Sequence, residues 1–524
     1  MTIDFKKEPI NLSEMKMNTI STVMVDGDVI VPDVKPDMKE ILLAEANAIV
    51  NSKEYLNGKL TVSGTIFIKI LYAPDNTDAD SPKVKSIENK FEFKDSIDCP
   101  NEDGLHISVK AGTEHIEFSL INSRKLNMKV IVALTAKAYS RKTAEICCGV
   151  EGEAPLETRM KGLNLYNIVA DEQKDVIITD SLEIPNAKPE ADEILKMDVH
   201  AVKGDCKLMN NKILLKGTLH IATLYSSIAD GYCLEHMEHE IPFSEVVDIE
   251  GLGEECMCNV VYDIKDVFYT LKEDINGEPR VISIEVLVGA SITASRTWEA
   301  NVVDDCYSPA GNTRILRDKL SMDELINEGT SQLSVKEIVS VPENMPQIDA
   351  VYNVACKPII AERVIDQDKL IIRGSLVAFI LYVSSGAENP MYSLVQEFPF
   401  EQTVALDESN EKMLCECDVN VLSTSYTLNA ASEIELRCAL EFYSKVILPY
   451  EMELISGCDV EEPEEDAEPE EIGPRLVIYF VQKGDTMWDI AKRYRTTARK
   501  IMAANQMDEE RSVLAGQKLL IPRV

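Results

Sequence analysis

Two pairs of cysteines have a spacing that could contribute to a metal site. Cys256 and Cys258, and further along Cys415 and Cys417, are two residues apart, so in a β-strand both thiols of a pair face the same side. A structural zinc ion needs four ligands, usually two C-x2-C pairs or cysteines combined with histidines. Neither pair has a matching second half, and we therefore interpret these cysteines as small buried apolar residues and predict no metal site.

The histidines and the common catalytic motifs give no candidate active site. His236 and His239 are three residues apart, which could chelate a metal on a helix, but the Ile-Pro-Phe sequence that follows indicates a polar loop or strand. No G-x-S-x-G, P-loop, H-E-x-x-H or G-x-G-x-x-G pattern is present in the sequence. We therefore predict that the protein is not an enzyme, with no catalytic residues and no cofactor.

Length and charge exclude further classes of protein. At roughly 150 residues per domain, 524 residues predict three or four domains, and a 45% hydrophobic composition can build packed cores. The formal net charge of −37 would repel phosphate backbones, which argues against nucleic acid as a partner. The N-terminal sequence lacks the apolar stretch of a signal peptide, and no run approaches the ~20 apolar residues of a transmembrane segment. We expect a cytosolic protein without a transmembrane segment.

One sequence motif occurs three times along the chain. Each copy starts with an aliphatic residue, a proline, three further residues and a second proline; 32 residues after the first proline comes a glycine, and 8 residues later a tyrosine. A phenylalanine follows about 60 residues after that first proline. These landmarks are Pro32, Gly64, Tyr72 and Phe93 in the first copy, Pro185, Gly217, Tyr225 and Phe243 in the second, and Pro342, Gly374, Tyr382 and Phe400 in the third. The intervals of 153 and 157 residues are too long for a solenoid unit, so each copy is predicted to be a domain.

The segment before each repeated tyrosine alternates apolar and polar residues, which predicts β-strands. The glycine inside the strand indicates a bulge or a close approach of another group. The paired prolines favour an extended entry into each module over a ligand-binding loop. We predict a mainly β fold with three tandem β-sandwich-like or barrel-like modules, and one short helix near residues 39–46.

An acidic segment separates the repeats from the C-terminal region. Nine of the thirteen residues from Asp459 to Glu471 are acidic and two are proline, a composition that repels itself and cannot build a core. We interpret it as a linker; an acidic docking peptide is the alternative. The predicted domains are residues 1–150, 151–305 and 306–450 for the three repeats, 451–476 for the linker and 477–524 for a C-terminal domain.

Residues 478–524 resemble a LysM module along their whole length. The matching positions, in order, are Tyr479, Val481, Gly484, Asp485, Thr486, Met487, Ile490, Ala491, Tyr494, Asn505, Leu514, Gly516, Gln517, Leu519, Ile521 and Pro522. The resemblance implies a βααβ fold. The residues fit it, because Thr486 is a suitable N-cap and an apolar stripe at helical spacing follows.

The same resemblance implies where a ligand groove would lie. One wall would be Gly484, Asp485, Thr486, Met487 and Trp488, and the other Asn505, Val513 and Leu514. Trp488 is one residue off the apolar stripe, which predicts a partly exposed ring that could anchor a partner, or that only covers the flank of the core. An acidic stretch, Met507-Asp508-Glu509-Glu510, replaces the commoner short polar loop, which argues against a glycan ligand.

Charge is distributed unevenly between this module and the rest of the chain. Residues 478–524 carry nine basic and five acidic side chains, a net charge of +4, which leaves the rest of the chain near −41. The basic C-terminal module would therefore be steered toward an acidic protein surface or an anionic component of the cell envelope.

The whole arrangement resembles the clostridial spore-coat morphogenetic proteins with SPOCS domains, in which such repeats precede one LysM module. The resemblance implies a non-enzymatic scaffold or adaptor in the mother-cell cytoplasm at the forespore surface. Its LysM module would bind the morphogenetic ATPase of the coat basement layer, with other coat proteins as possible further partners, and promote encasement of the forespore. The alternative is a LysM-dependent binder of peptidoglycan or its lipid-linked precursor. A cell-wall hydrolase is a third hypothesis, disfavoured because catalytic motifs and an export signal are missing.

Overall fold

The computed structural model describes residues 3–75, 83–152, 155–228, 232–384, 391–407, 409–430, 432–461, 476–507 and 513–522. Three repeated β modules are followed by a small α/β module. In the described parts of the chain, neither of the two helices has the length and apolar composition that crossing a membrane requires.

The first module is built from six antiparallel strands in two three-stranded sheets. One sheet has the order β1-β6-β5 and the other β2-β3-β4. The strands are β1 (Ile3–Ile30), β2 (Met38–Leu56), β3 (Lys59–Pro74), β4 (Lys85–Asp98), β5 (Leu105–Asn122) and β6 (Lys125–Gly152). Side chains of β3 and β6, such as Ile66 and Val132, are fully buried in one shared core, so the two sheets pack face to face as a sandwich.

The second and third modules repeat this plan. Their sheets have the orders β12-β13-β7 and β11-β10-β8, with β9 beside β10, and then β14-β19-β18 and β15-β16-β17. The strands of the second module are β7 (Glu157–Glu183), β8 (Glu193–Lys203), β9 (Lys207–Met209), β10 (Lys212–Ser227), β11 (Cys233–Asp248), β12 (Met257–Glu273) and β13 (Pro279–Tyr307). Those of the third are β14 (Asn312–Ser340), β15 (Ala350–Asp366), β16 (Lys369–Val383), β17 (Met391–Ala405), β18 (Leu414–Ala430) and β19 (Glu433–Glu461). The prediction of three sandwich-like β modules is confirmed.

Two local expectations differ from the structure. The helix predicted near residues 39–46 is wrong: this segment lies in β2, where Ala44 and Ala46 pair with Ile70 and Ile68 of β3. Pairing with a buried central strand outweighs the helix propensity of a Leu-Leu-Ala-Glu-Ala sequence. Ordered strand also continues past residue 450, where composition predicted the linker to begin, because residues 451–461 of β19 pair with residues 312–321 of β14. Residues 462–475 lie outside the described residues.

The landmarks of the repeat contact one another in every module. A Cβ atom placed on Gly64 would lie 2.2 Å from the carbonyl oxygen of Ile49 and 2.2 Å from the ring of Phe93, its partner on the adjacent strand. The glycine is therefore required for a close approach. At the other end of β3, the Tyr72 hydroxyl donates a hydrogen bond to the carbonyl oxygen of Pro36 at 2.9 Å. The corresponding tyrosine-to-proline bonds in the second and third modules measure 3.0 and 3.1 Å.

The first and last strands of each module continue beyond the point where the third strand ends, as two-stranded ribbons. Ribbon 1 comprises residues 3–15 and 139–152, ribbon 2 residues 157–168 and 295–307, and ribbon 3 residues 312–325 and 447–461. Each ribbon contacts both of the others. Their apolar side chains form one buried cluster of Ile10, Leu12, Ile146, Leu163, Leu165, Val302, Met322 and Leu454. The three modules thus meet at a common centre, to which each module contributes one ribbon.

Candidate functional site

The C-terminal module contains every residue of the predicted binding site. Its elements are β20 (Leu476–Phe480), α1 (Met487–Arg493), α2 (Ala498–Asn505) and β21 (Lys518–Pro522), with β20 antiparallel to β21. Both helices cover one face of this sheet. The core between them consists of Val481, Ile490, Ala491, Ile501, Leu519 and Ile521, with Met487, Trp488, Tyr494 and Val513 packed against it.

Local side-chain bonds fix the turn that leads into α1. Thr486 is the N-cap of α1, as predicted from the sequence, and it also forms a capping box with Asp489. Gly484 has a φ of +94°, in the left-handed region that favours glycine. The Asp485 carboxylate accepts hydrogen bonds from the Tyr479 hydroxyl at 2.5 Å and the Gln482 N–H at 2.9 Å, and these bonds lower its pKa. The conformation of this wall of the predicted groove is therefore defined by hydrogen bonds within the domain.

Asn505, on the other wall, connects α2 to β21. Its side-chain amide donates to the carbonyl oxygens of Ile501 and Leu520 at 2.8 and 2.7 Å, and its side-chain oxygen accepts the Leu520 N–H at 2.7 Å. Val513 is half-buried against the core, and Leu514 is 70% exposed. The acidic stretch predicted for this wall falls mainly on residues 508–512, which lie outside the described residues. The groove stays a prediction.

We expect Asn505→Ala to loosen the C-terminal module. Three hydrogen bonds are lost, one of them leaving the Leu520 N–H without its acceptor, so the local stability should fall by about 2 kcal/mol. Hydrogen exchange of the full-length protein should show faster exchange in α2 and β21. Arg499→Ala, at an exposed position of the same helix, is the control and should leave exchange unchanged. Equal protection in both variants would contradict this role of Asn505.

Trp488 is turned toward ribbon 2. Its indole N–H donates a hydrogen bond of 2.8 Å to the Asp305 carboxylate, and the Lys492 ammonium lies 2.7 Å from the other oxygen of that carboxylate. The ring packs edge to face on Tyr307 with 4.9 Å between centroids, and the Arg159 guanidinium lies 5.8 Å from it. The half-buried position at the flank of the core agrees with the expectation from helical spacing, but the partner in this structure belongs to the same chain.

The charges around Asp305 explain how a carboxylate is held there. Burial raises its pKa, but hydrogen bonds from Lys492 and Trp488, together with the charges of Lys492 and Arg159, outweigh burial and lower the pKa overall. Asp305 therefore remains ionised over the whole neutral range and provides the acidic counterpart of the basic C-terminal module.

The outer face of β20 is an apolar surface that sequence reasoning missed. Leu476, Ile478 and Phe480 point away from the helices and are 51%, 53% and 56% exposed. Leu520, opposite Ile478 on β21, is half-buried. The signal was present in the run Leu-Val-Ile-Tyr-Phe-Val, which is apolar at every position although only one face of a two-stranded sheet can be covered by the helices.

No metal-binding arrangement is found: across the described residues, no three His, Cys, Asp or Glu side chains come together in a way that could hold an ion.

Comparison with known families assigns both parts of the chain. The family model of the SipL SPOCS domain matches residues 37–121, 190–272 and 347–429, and the LysM domain model matches residues 479–522. Together these ranges span more than half of the chain. Comparisons with curated proteins and with solved structures gave no match.

Proposed function

The chain belongs to the SipL family of spore-coat proteins, with three SPOCS domains and a C-terminal LysM domain, and from this premise we propose that it is a non-enzymatic adaptor of coat assembly. Its LysM domain binds the morphogenetic ATPase that forms the basement layer of the coat. The SPOCS domains, held together by their ribbons, act as the scaffold from which the LysM domain is presented. The site of action is the forespore surface, on the side of the mother-cell cytoplasm.

The observation that supports binding to a protein is the exposed apolar face of β20. Leu476, Ile478 and Phe480 form a row of large side chains, each about half exposed, on a domain of fewer than fifty residues. A contiguous exposed apolar patch of this kind is typical of protein–protein interfaces. Two polar side chains of the predicted groove, Asp485 and Asn505, already form hydrogen bonds within the domain, which leaves less of their capacity for the hydroxyl groups of a glycan.

We expect Ile478→Ser in the full-length protein to abolish most capture by the immobilised basement-layer ATPase. A central apolar side chain of an interface contributes about 2 kcal/mol, which corresponds to a loss of affinity of roughly 30-fold. Ile338→Ser is the matched control, because Ile338 is 54% exposed, lies on β14 of the third module and belongs to no part of the LysM domain.

The same proteins are tested in parallel for sedimentation with insoluble peptidoglycan. Equal capture of both variants by the ATPase would remove β20 from the interface. Binding of the wild type to peptidoglycan alone would replace the adaptor with the glycan-binding alternative, which the LysM family match favours.

A further inference from the structure

We propose that the contact between Trp488 and ribbon 2 is autoinhibitory: it holds the LysM domain in a closed state, and a partner that uses Trp488 must first displace ribbon 2. This inference rests on the proposed function for the identity of the partner. The closed contact itself is present in the structure whatever the partner is.

The closed contact joins two well-defined surfaces. On the side of ribbon 2, Asp305 and Tyr307 project from β13, and Tyr307 donates a hydrogen bond of 2.8 Å to the carbonyl oxygen of Thr496. The LysM domain contributes Trp488 and Lys492, both bonded to Asp305. A further bond of 2.6 Å runs from Arg495 to Asn312, at the start of β14. Tyr307 is buried and belongs to the apolar core cluster of the LysM domain, so this is a packed interface and not a single surface ion pair.

The acid and the aromatic residue are particular to ribbon 2. The pairing register shifts once at the same place in each ribbon, so Val150, Cys306 and Cys458, which lie in one apolar cluster, occupy corresponding positions. Only Cys306 is flanked by an acid and a tyrosine; the neighbours of Val150 are glycine and glutamate, and those of Cys458 are glycine and aspartate. Packing of the ribbons therefore does not require Asp305 and Tyr307.

Trp488 cannot serve ribbon 2 and a partner at the same time. An indole has one N–H donor, and Asp305 accepts it. The ring edge and face are occupied by Tyr307 and Arg159. The apolar face of β20 stays exposed in this state, so a first encounter is possible, but full engagement through Trp488 is not. The apparent affinity is then the intrinsic affinity multiplied by the fraction of molecules that are open.

The covalent connection favours the closed state. Residues 462–475 join the end of β19, in ribbon 3, to the start of β20, so a LysM domain that leaves ribbon 2 stays attached to the neighbouring ribbon. Rebinding is intramolecular, with an effective concentration on the order of millimolar for a short connection. A weak contact is therefore sufficient to keep Trp488 covered, and a partner presented at high local density, as in a polymerised layer, can displace it.

The test uses the full-length protein with Trp298→Phe, which leaves Trp488 as the only tryptophan of the chain. Asp305→Ala removes the acceptor of the bonds from Trp488 and Lys492. Asp318→Ala, at an exposed acidic position of β14, is the control for loss of one negative charge. Tyr307→Ala is the second variant, in case Asp305→Ala impairs folding. Acrylamide quenching of Trp488 fluorescence reports the closed contact, and titration with the basement-layer ATPase reports affinity.

We expect Asp305→Ala to make Trp488 more accessible to acrylamide and to raise the affinity for the ATPase at least about fivefold, while Asp318→Ala changes neither. Unchanged quenching in folded Asp305→Ala and Tyr307→Ala variants would show that Trp488 is not held by ribbon 2. Increased quenching with unchanged affinity would overturn the autoinhibition and leave the adaptor function intact. If the wild type, Asp305→Ala and Tyr307→Ala all fail to bind the ATPase, the proposed partner is wrong. Autoinhibition of binding to that partner is then wrong as well.

Discussion

Gly64→Ala is expected to destabilise the first module by about 3 kcal/mol, because the new methyl group would overlap both backbone and side chain. The added Cβ lies 2.2 Å from the Ile49 carbonyl oxygen, which is fixed by pairing of β2 with β3, and 2.2 Å from the ring of Phe93. The ring could rotate away, but the carbonyl oxygen cannot move without breaking the sheet. Differential scanning calorimetry of the full-length protein should show an earlier first transition.

Gly112→Ala is the matched control for this experiment. Gly112 lies in β5 of the same module, and a Cβ at this position meets nothing within 4 Å. Alanine there should be neutral or slightly stabilising, since it restricts the unfolded chain. If both substitutions changed the stability equally, the close approach of Ile49 and Phe93 would not explain the effect of Gly64→Ala.

Glu416→Gln is expected to cost about 3 kcal/mol, because it leaves two lysines without their buried counter-charge. Glu416 lies on β18 of the third module, and its carboxylate contacts Lys137 at 2.8 Å, the Tyr139 hydroxyl at 2.5 Å and Lys445 at 3.3 Å. Lys137 and Tyr139 belong to the first module, and the side chain of Lys445 is only 1% exposed. The substitution should therefore loosen the junction of the first and third modules, which hydrogen exchange along β6 and β18 can measure.

The same carboxylate makes stability depend on acid. Burial raises the pKa of Glu416, but the charges of Lys445 and Lys137 and the hydrogen bonds from Lys137 and Tyr139 lower it to about 2. The ordinary value is 4.5, so this contribution is complete above about pH 4.5 and is lost as the pH falls toward 2. At 1.36 kcal/mol per unit, the wild type should lose about 3 kcal/mol more than Glu416→Gln across this window.

Denaturant unfolding at pH 5, 4, 3 and 2 measures the difference. Glu433→Gln, at an exposed position of the same module, serves as the control and should follow the wild type. A Glu416→Gln protein with the full acid sensitivity of the wild type would assign that sensitivity to other carboxylates.

Much of each module could be predicted from the sequence, because its landmarks contact one another locally. The spacing of glycine, phenylalanine, tyrosine and proline reflects pairs such as Gly64 with Phe93 and Tyr72 with Pro36, which lie on neighbouring strands or at their ends. Alternation of apolar residues identified the strands, and the motif at residues 479–522 identified the LysM domain. A short helix at residues 39–46 was predicted wrongly because helix propensity is a local property, while β2 is held by its pairing with β3.

The sequence by itself determined the units: three homologous β modules, an acidic segment and a basic LysM domain. Only the tertiary structure decided how the units meet. The ribbons join residues far apart in the chain, Glu416 is paired across two modules, and Asp305 binds Trp488 across 183 residues. Such contacts depend on the shapes and charges of finished surfaces, and they leave no periodic pattern or fixed spacing along the chain. That is why the sequence could predict a partly exposed Trp488, while its contact with ribbon 2 could not be predicted.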